Sequence, residues 1–183
     1  MNRTGRSRIL GCLLLLLPAL ATAGGNSLLI PANGRCSLNT APEDMPEALA
    51  ACQQAAQSGD SEAQFELGEY YYDGQRAPRD LKQALNWFEQ ASLKGHANAQ
   101  LRLGGTFFRG EGVPANNMQA FIVLKMAAVN GSDEALDTAD LVAAQMRRDE
   151  LDIATQVLGQ IFRNYLTDLQ TVDGNSSPFA PLP

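Results

Sequence analysis

The sequence predicts an all-α chain, an α/α solenoid of 36-residue, two-helix repeats finished by a C-terminal capping helix. Three observations carry that expectation. The chain matches itself at an offset of 36 residues without an insertion. Small and apolar residues recur inside each period at the i, i+4, i+8 spacing of an amphipathic helix. Glycine, proline and aspartate fall where helices have to stop and start.

At that offset Gly59 meets Gly95 and then Gly131, and Ala63 meets Ala99 and Ala135. Gln64 meets Gln100, Leu67-Gly68 meets Leu103-Gly104, Tyr71 meets Phe107, and Gly74 meets Gly110. Pro78, Ala84 and Ala91 meet Pro114, Ala120 and Ala127, while Ala41-Pro42 and Asp44 align one period upstream of Ala77-Pro78 and Asp80. No helical pair of this kind can bury its own apolar face, so a fixed period implies stacking.

The elements follow in chain order. Arg3, Arg6 and Arg8 precede an apolar run from Ile9 to Leu20 and then Ala21-Thr22-Ala23, a small-x-small site. That order predicts a secretory signal peptide over residues 1–23. The run is shorter than the ~20 apolar residues of a membrane span, and Cys12 precedes most of it, unlike a lipid-attachment cysteine. Residues 24–40 read as an irregular segment, and residues 41–166 as the solenoid. A half unit covers Pro42 to Ser58, two full units run Gly59–Lys94 and Gly95–Asn130, and a degenerate third keeps Gly131 and Ala135. Within unit one, a helix from about Ser61 to Tyr72 stops at Asp73-Gly74. Asp80 then caps a second helix that runs to about Leu93, with Ala84, Trp87, Phe88 and Ala91 facing inward. A last helix, from about Asp149 to Leu166, carries Ile153, Val157, Ile161 and Tyr165 on one stripe beside Ala154, Leu158 and Phe162, and reads as the cap. Residues 167–183 read as a disordered tail, rich in Gly, Ser, Asn and Pro from Thr171 on.

Charge narrows the function classes. The chain has a net charge of −6, and loss of residues 1–23 removes three arginines and no acid, taking it to −9. That balance opposes binding to phosphate backbones and anionic membranes, so no nucleic acid and no membrane span after cleavage are expected. Export to the periplasm is expected, with secretion to the medium as the alternative. In such an oxidising place Cys36 and Cys52 suggest a disulfide pinning the irregular segment to the first helix, with two reduced thiols as the alternative.

Residues that carry chemistry are sparse. His96 is the sole histidine, so no paired-histidine metal site is available; its place in the turn Lys94-Gly95-His96 reads as surface. Glu62, Glu66, Glu69 and Asp73 share one side of a helix, a solvated or partner-binding face rather than an acid/base pair. Asn130-Gly131-Ser132 fits a glycosylation pattern, but Gly131 already has a turn role. No cofactor is expected.

The pattern Ala63-Gln64-x-x-Leu67-Gly68-x-x-Tyr71-x-x-Gly74, followed by Ala84-x-x-Trp87-Phe88-x-x-Ala91, resembles the SEL-one-like repeat, a relative of the tetratricopeptide repeat. Unit two is similar through Gly110-Glu111-Gly112-Val113-Pro114. Arg76-Ala77 in unit one and Val123-Leu124 in unit two depart from the usual residues. The resemblance implies an adaptor or scaffold that binds another protein, such as an envelope complex or a membrane sensor. Some cysteine-rich relatives are linked to β-lactams, so a cell-wall- or β-lactam-directed enzyme is the alternative. Against it, no Ser-x-x-Lys occurs, and Cys36 and Cys52 are not paired inside one repeat.

In tetratricopeptide-like stacks the first helix of each unit lines an inner groove. The residues placed there are Glu62, Phe65, Glu69, Tyr72 and Asp73, with Asn98, Leu101, Gly105, Phe108 and Arg109 one period on. Aromatic and apolar side chains rimmed by charge are the usual composition of binding hot spots. The acidic members are expected to select a basic segment of the partner.

Overall fold

The computed structural model describes residues 36–172. The expected signal peptide, nearly all of the irregular segment, and residues 173–183 of the expected tail lie outside the described residues. Among the described residues seven helices follow one another: α1 (Met45–Gln57), α2 (Ser61–Asp73), α3 (Leu81–Ser92), α4 (Ala97–Arg109), α5 (Asn117–Val129), α6 (Asp133–Ala143) and α7 (Arg148–Val172). No strand occurs among the described residues. From α1 to α6 each helix packs on the next, and the first helices of successive units, α2, α4 and α6, also touch in order. This is the all-α solenoid that the 36-residue period predicts.

The period is visible in the backbone. The Asp80 N–H donates to the Tyr71 carbonyl at 2.8 Å, and one period later the Asn116 N–H donates to Phe107 at 2.8 Å. Between units, the N–H groups of Asp60, His96 and Ser132 donate to Ala55, Ala91 and Ala127. Those three residues are also the N-caps of α2, α4 and α6, each accepting from the backbone N–H three residues on. Ser132 therefore has a capping role of its own. His96 is not a plain surface residue: its Nδ1 accepts the Ala99 N–H at 3.2 Å and its ring stacks on Phe65 at 4.8 Å.

Small residues set the helix spacing. A Cβ on Gly68 would lie 2.3 Å from the ring of Phe88, and one on Gly104 would lie 2.6 Å from Cγ of Leu124. Leu124 thus fills in unit two the place Phe88 fills in unit one, which is why the departure from the aromatic pair leaves the packing intact. Alanines at 63, 84, 91, 99, 120, 127, 135 and 139 are fully buried between these contacts. Gly74 and Gly110 close α2 and α4 in the left-handed region, at φ 69° and 71°. Tyr70 is buried beside Tyr71, which the apolar stripe alone did not predict.

Cys36 and Cys52 are joined by a disulfide. It brings the chain before α1 onto the helices, where Leu38 is fully buried and its carbonyl accepts from Arg76 at 2.9 Å. Arg76, one of the two loop departures in unit one, therefore holds the N-terminal end of the described stack.

Two features of the C-terminal end differ from expectation. Helix α7 packs on α5 through Leu151 and Ala154, whereas Ile153 and Val157 are 50% and 43% exposed. The capping face is thus the stripe beside the one the sequence favours, about a quarter-turn away. The helix also continues to Val172, because no proline or glycine interrupts residues 167–172; the first is Gly174.

Candidate protein-binding groove

Helices α2, α4 and α6 present one side of each unit to a shared depression of about 370 Å³. Phe65 lines it from α2, Asn98, Leu101, Arg102, Gly105 and Arg109 from α4, and Glu134 and Thr138 from α6. Five of the ten positions that the sequence assigns to the inner face meet there: Phe65, Asn98, Leu101, Gly105 and Arg109. Glu134 and Thr138 were missed, although one more step of the same offset leads to them, from Asn98 and from Arg102.

The other five serve contacts within the chain. Glu62 lies 3.0 Å from Nε2 of His96, Glu69 accepts from Arg102 at 2.7 Å, and Asp73 accepts from Arg76 at 2.7 Å. These three acids are matched by residues of the chain itself. Burial alone would raise the Asp73 carboxyl, but the Gln75 N–H and the Arg76 guanidinium hold it below its ordinary value. The Tyr72 ring lies beneath Arg79 and Arg102, with the guanidinium carbons 4.8 and 5.6 Å from its centroid. Its hydroxyl donates to Glu111 Oε2 at 2.6 Å. Hydrogen bonds from Arg109 and from Tyr72 hold the Glu111 carboxyl below its ordinary value. Phe108 packs against the buried cluster of Ala120, Leu124 and Ala135. Tyr72 therefore ties the loop after α4 back to α2, and Phe108 is partly buried against the core.

Gly105 gives the depression its floor. It stands one period after Glu69 and one before Leu141, so both neighbouring units carry a side chain there. Without one, the Arg109 guanidinium lies against the helix, 3.0 Å from where a Cβ would stand. Phe65 and Leu101 remain partly exposed beside it. The arrangement offers a small apolar floor within a lining that is mostly amide, hydroxyl and charged, which suits a polypeptide segment. Among the described residues no cluster of three or more His, Cys, Asp or Glu side chains could hold a metal ion. No helix among them is long and apolar enough to cross a membrane.

Comparison with known families gives the Sel1 repeat, matched over residues 61–96 and 97–132. Both matches begin with the first helix of a unit and end with the cap of the next. The chain carries two Sel1 repeats. A solved Sel1 repeat protein from Oxalobacter formigenes is 35% identical over 54% of this chain and 29% of its own, with a TM-score of 0.53. The protein c5321, a protective antigen present in uropathogenic Escherichia coli strains and displaying an SLR fold, covers 79% of this chain at 22% identity and a TM-score of 0.65. At that identity the second likeness speaks for the fold. The chain spans about a third of the length of these solved relatives, 32% and 29%. No curated protein matches it. Sel1 repeats mediate protein–protein interaction, and proteins built from them are generally scaffolds.

Proposed function

We propose that this protein is an exported adaptor, working in the bacterial periplasm, that holds a segment of an envelope protein in the depression between α2, α4 and α6. The observation that carries the reading is the pair Phe65 and Leu101, which pack against the core yet are left partly exposed on the floor beside Gly105. The order of basic, apolar and cleavable residues over residues 1–23 supports export, and the Cys36–Cys52 disulfide suits an oxidising compartment.

A photo-crosslinking amino acid at Asn98, on the rim, tests the site in living cells against the same group at Lys82, exposed on α3. A discrete crosslinked protein from position 98 and none from position 82 is expected. Equal crosslinking from both would remove the groove from consideration. Cell fractionation with N-terminal sequencing of the purified protein tests export; a mature chain starting at Gly24 is expected, and an intact Met1 in the cytoplasm would end that part.

A further inference from the structure

We infer that the partner segment is recognised by charge at one end of the groove only: an apolar side chain seats over Phe65 and Leu101 while a lysine or arginine meets Glu134 on α6. This rests on the reading of the groove as a protein-binding site.

The argument is a balance of charges along the groove. On α2, Glu62, Glu69 and Asp73 are held by His96, Arg102 and Arg76. On α4, Arg102 is taken by Glu69 and Arg109 by Glu111. The ion pairs made by Arg76, Arg102 and Arg109 leave the floor close to neutral, while Glu62, whose partner is a histidine, lies outside the depression. The rim on α6 is different. Glu134 lines the depression and, among the described residues, has no ion-pair partner. Asp137 follows it on the same helix, exposed and likewise unpaired, at the position two periods after Phe65 and one after Leu101. The row that is apolar in units one and two thus becomes acidic in the third. A ligand lying across the three helices passes from an apolar floor to a carboxylate wall, so an apolar residue followed by a basic one fits, and the reverse charge is repelled. The net charge of −6 favours the encounter with a basic segment as well.

The test measures binding of arrayed twelve-residue peptides to the whole protein. One set fixes a leucine with a lysine three or four residues away; a matched set replaces the lysine with glutamate. Stronger binding of the lysine set, by tenfold or more at low salt, is expected, with the preference falling to less than threefold in Glu134→Gln/Asp137→Asn. Both positions are exposed, so this double variant is expected to keep the wild-type melting temperature. Gly105→Leu, which fills the floor with the side chain found at Leu141, abolishes binding of both sets; Leu101→Asp serves the same purpose if the first variant does not fold. An unchanged lysine preference in Glu134→Gln/Asp137→Asn overturns the inference and leaves the groove standing. Binding unaffected by both floor variants, or no binding by any peptide, overturns the groove reading and the inference with it.

Discussion

Units one and two share a pattern of residues and solve the same packing problem with different atoms. In both, a buried glutamine bridges from the first helix to the preceding unit: Gln64 Nε2 donates to the Ala56 carbonyl at 3.0 Å and Gln100 Nε2 to Ser92 at 2.9 Å. In unit two the glutamine oxygen is satisfied as well, by Asn130 Nδ2 at 2.8 Å. Unit one has Lys94 at the matching position, and its ammonium goes to the Gly59 carbonyl instead. Among the described residues Gln64 Oε1 has no partner and is left buried. The comparison teaches that the repeat fixes which atoms are buried, while single substitutions decide whether every buried atom is matched.

The units can be pushed apart or brought together by mutation. The largest effect is expected from Phe88→Ala, which empties the fully buried contact over Gly68 and costs about 3–5 kcal/mol in urea unfolding. A loss no larger than that of an exposed residue would mean unit one is not packed as described. Removing the covalent tie in the half unit that precedes unit one, by Cys36→Ser/Cys52→Ser, is expected to cost about 3 kcal/mol for a loop of this size, measured the same way. Gly68→Ala sharpens the role of close approach: overpacking against a buried ring costs about 1–3 kcal/mol, and the gain in helix propensity does not offset it. Gly104→Ala meets leucine instead, and is expected to cost less. A smaller change tests the glutamines. Lys94→Asn places an amide where unit two has Asn130, and is expected to stabilise by about 1 kcal/mol, whereas Asn130→Ala destabilises by a similar amount. If both lower the melting temperature, the two glutamines are not equivalent.

The smallest effect concerns acid. Glu111 links unit two to Tyr72 of unit one, and its carboxyl lies below the ordinary value of 4.5 in the folded chain. Its contribution is complete above that value and is lost as pH falls through the lower, folded one. The stability difference between wild type and Glu111→Gln is therefore expected at neutral pH and shrinks as pH falls below 4.5.

The fold was almost wholly legible because its signals are local and repeated. Gly68 and Gly104, Gly74 and Gly110, Asp80, and the buried alanines each declare themselves by position in the period. The groove was legible in outline, since helical spacing says which residues share a face. It does not say which charged side chains find partners across units, and Glu62, Glu69 and Tyr72 are engaged by His96, Arg102 and Glu111 from the next unit. Those pairings depend on distances between helices far apart in sequence. The outward position of Ile153 and Val157 was hidden for a related reason: α7 breaks the register, so no earlier unit predicts which of its neighbouring apolar stripes turns inward.

The glutamine that crosses each of the first two junctions has a consequence for how such a stack can vary in length. It reaches backward to Ala56 or Ser92 in the preceding unit, and at position 100 it also accepts from Asn130 at the far end of its own unit, so it acts as a dowel between two successive units. Inserting or deleting anything other than a whole period would strand it, which favours change by duplication of complete 36-residue blocks over gradual growth of single helices.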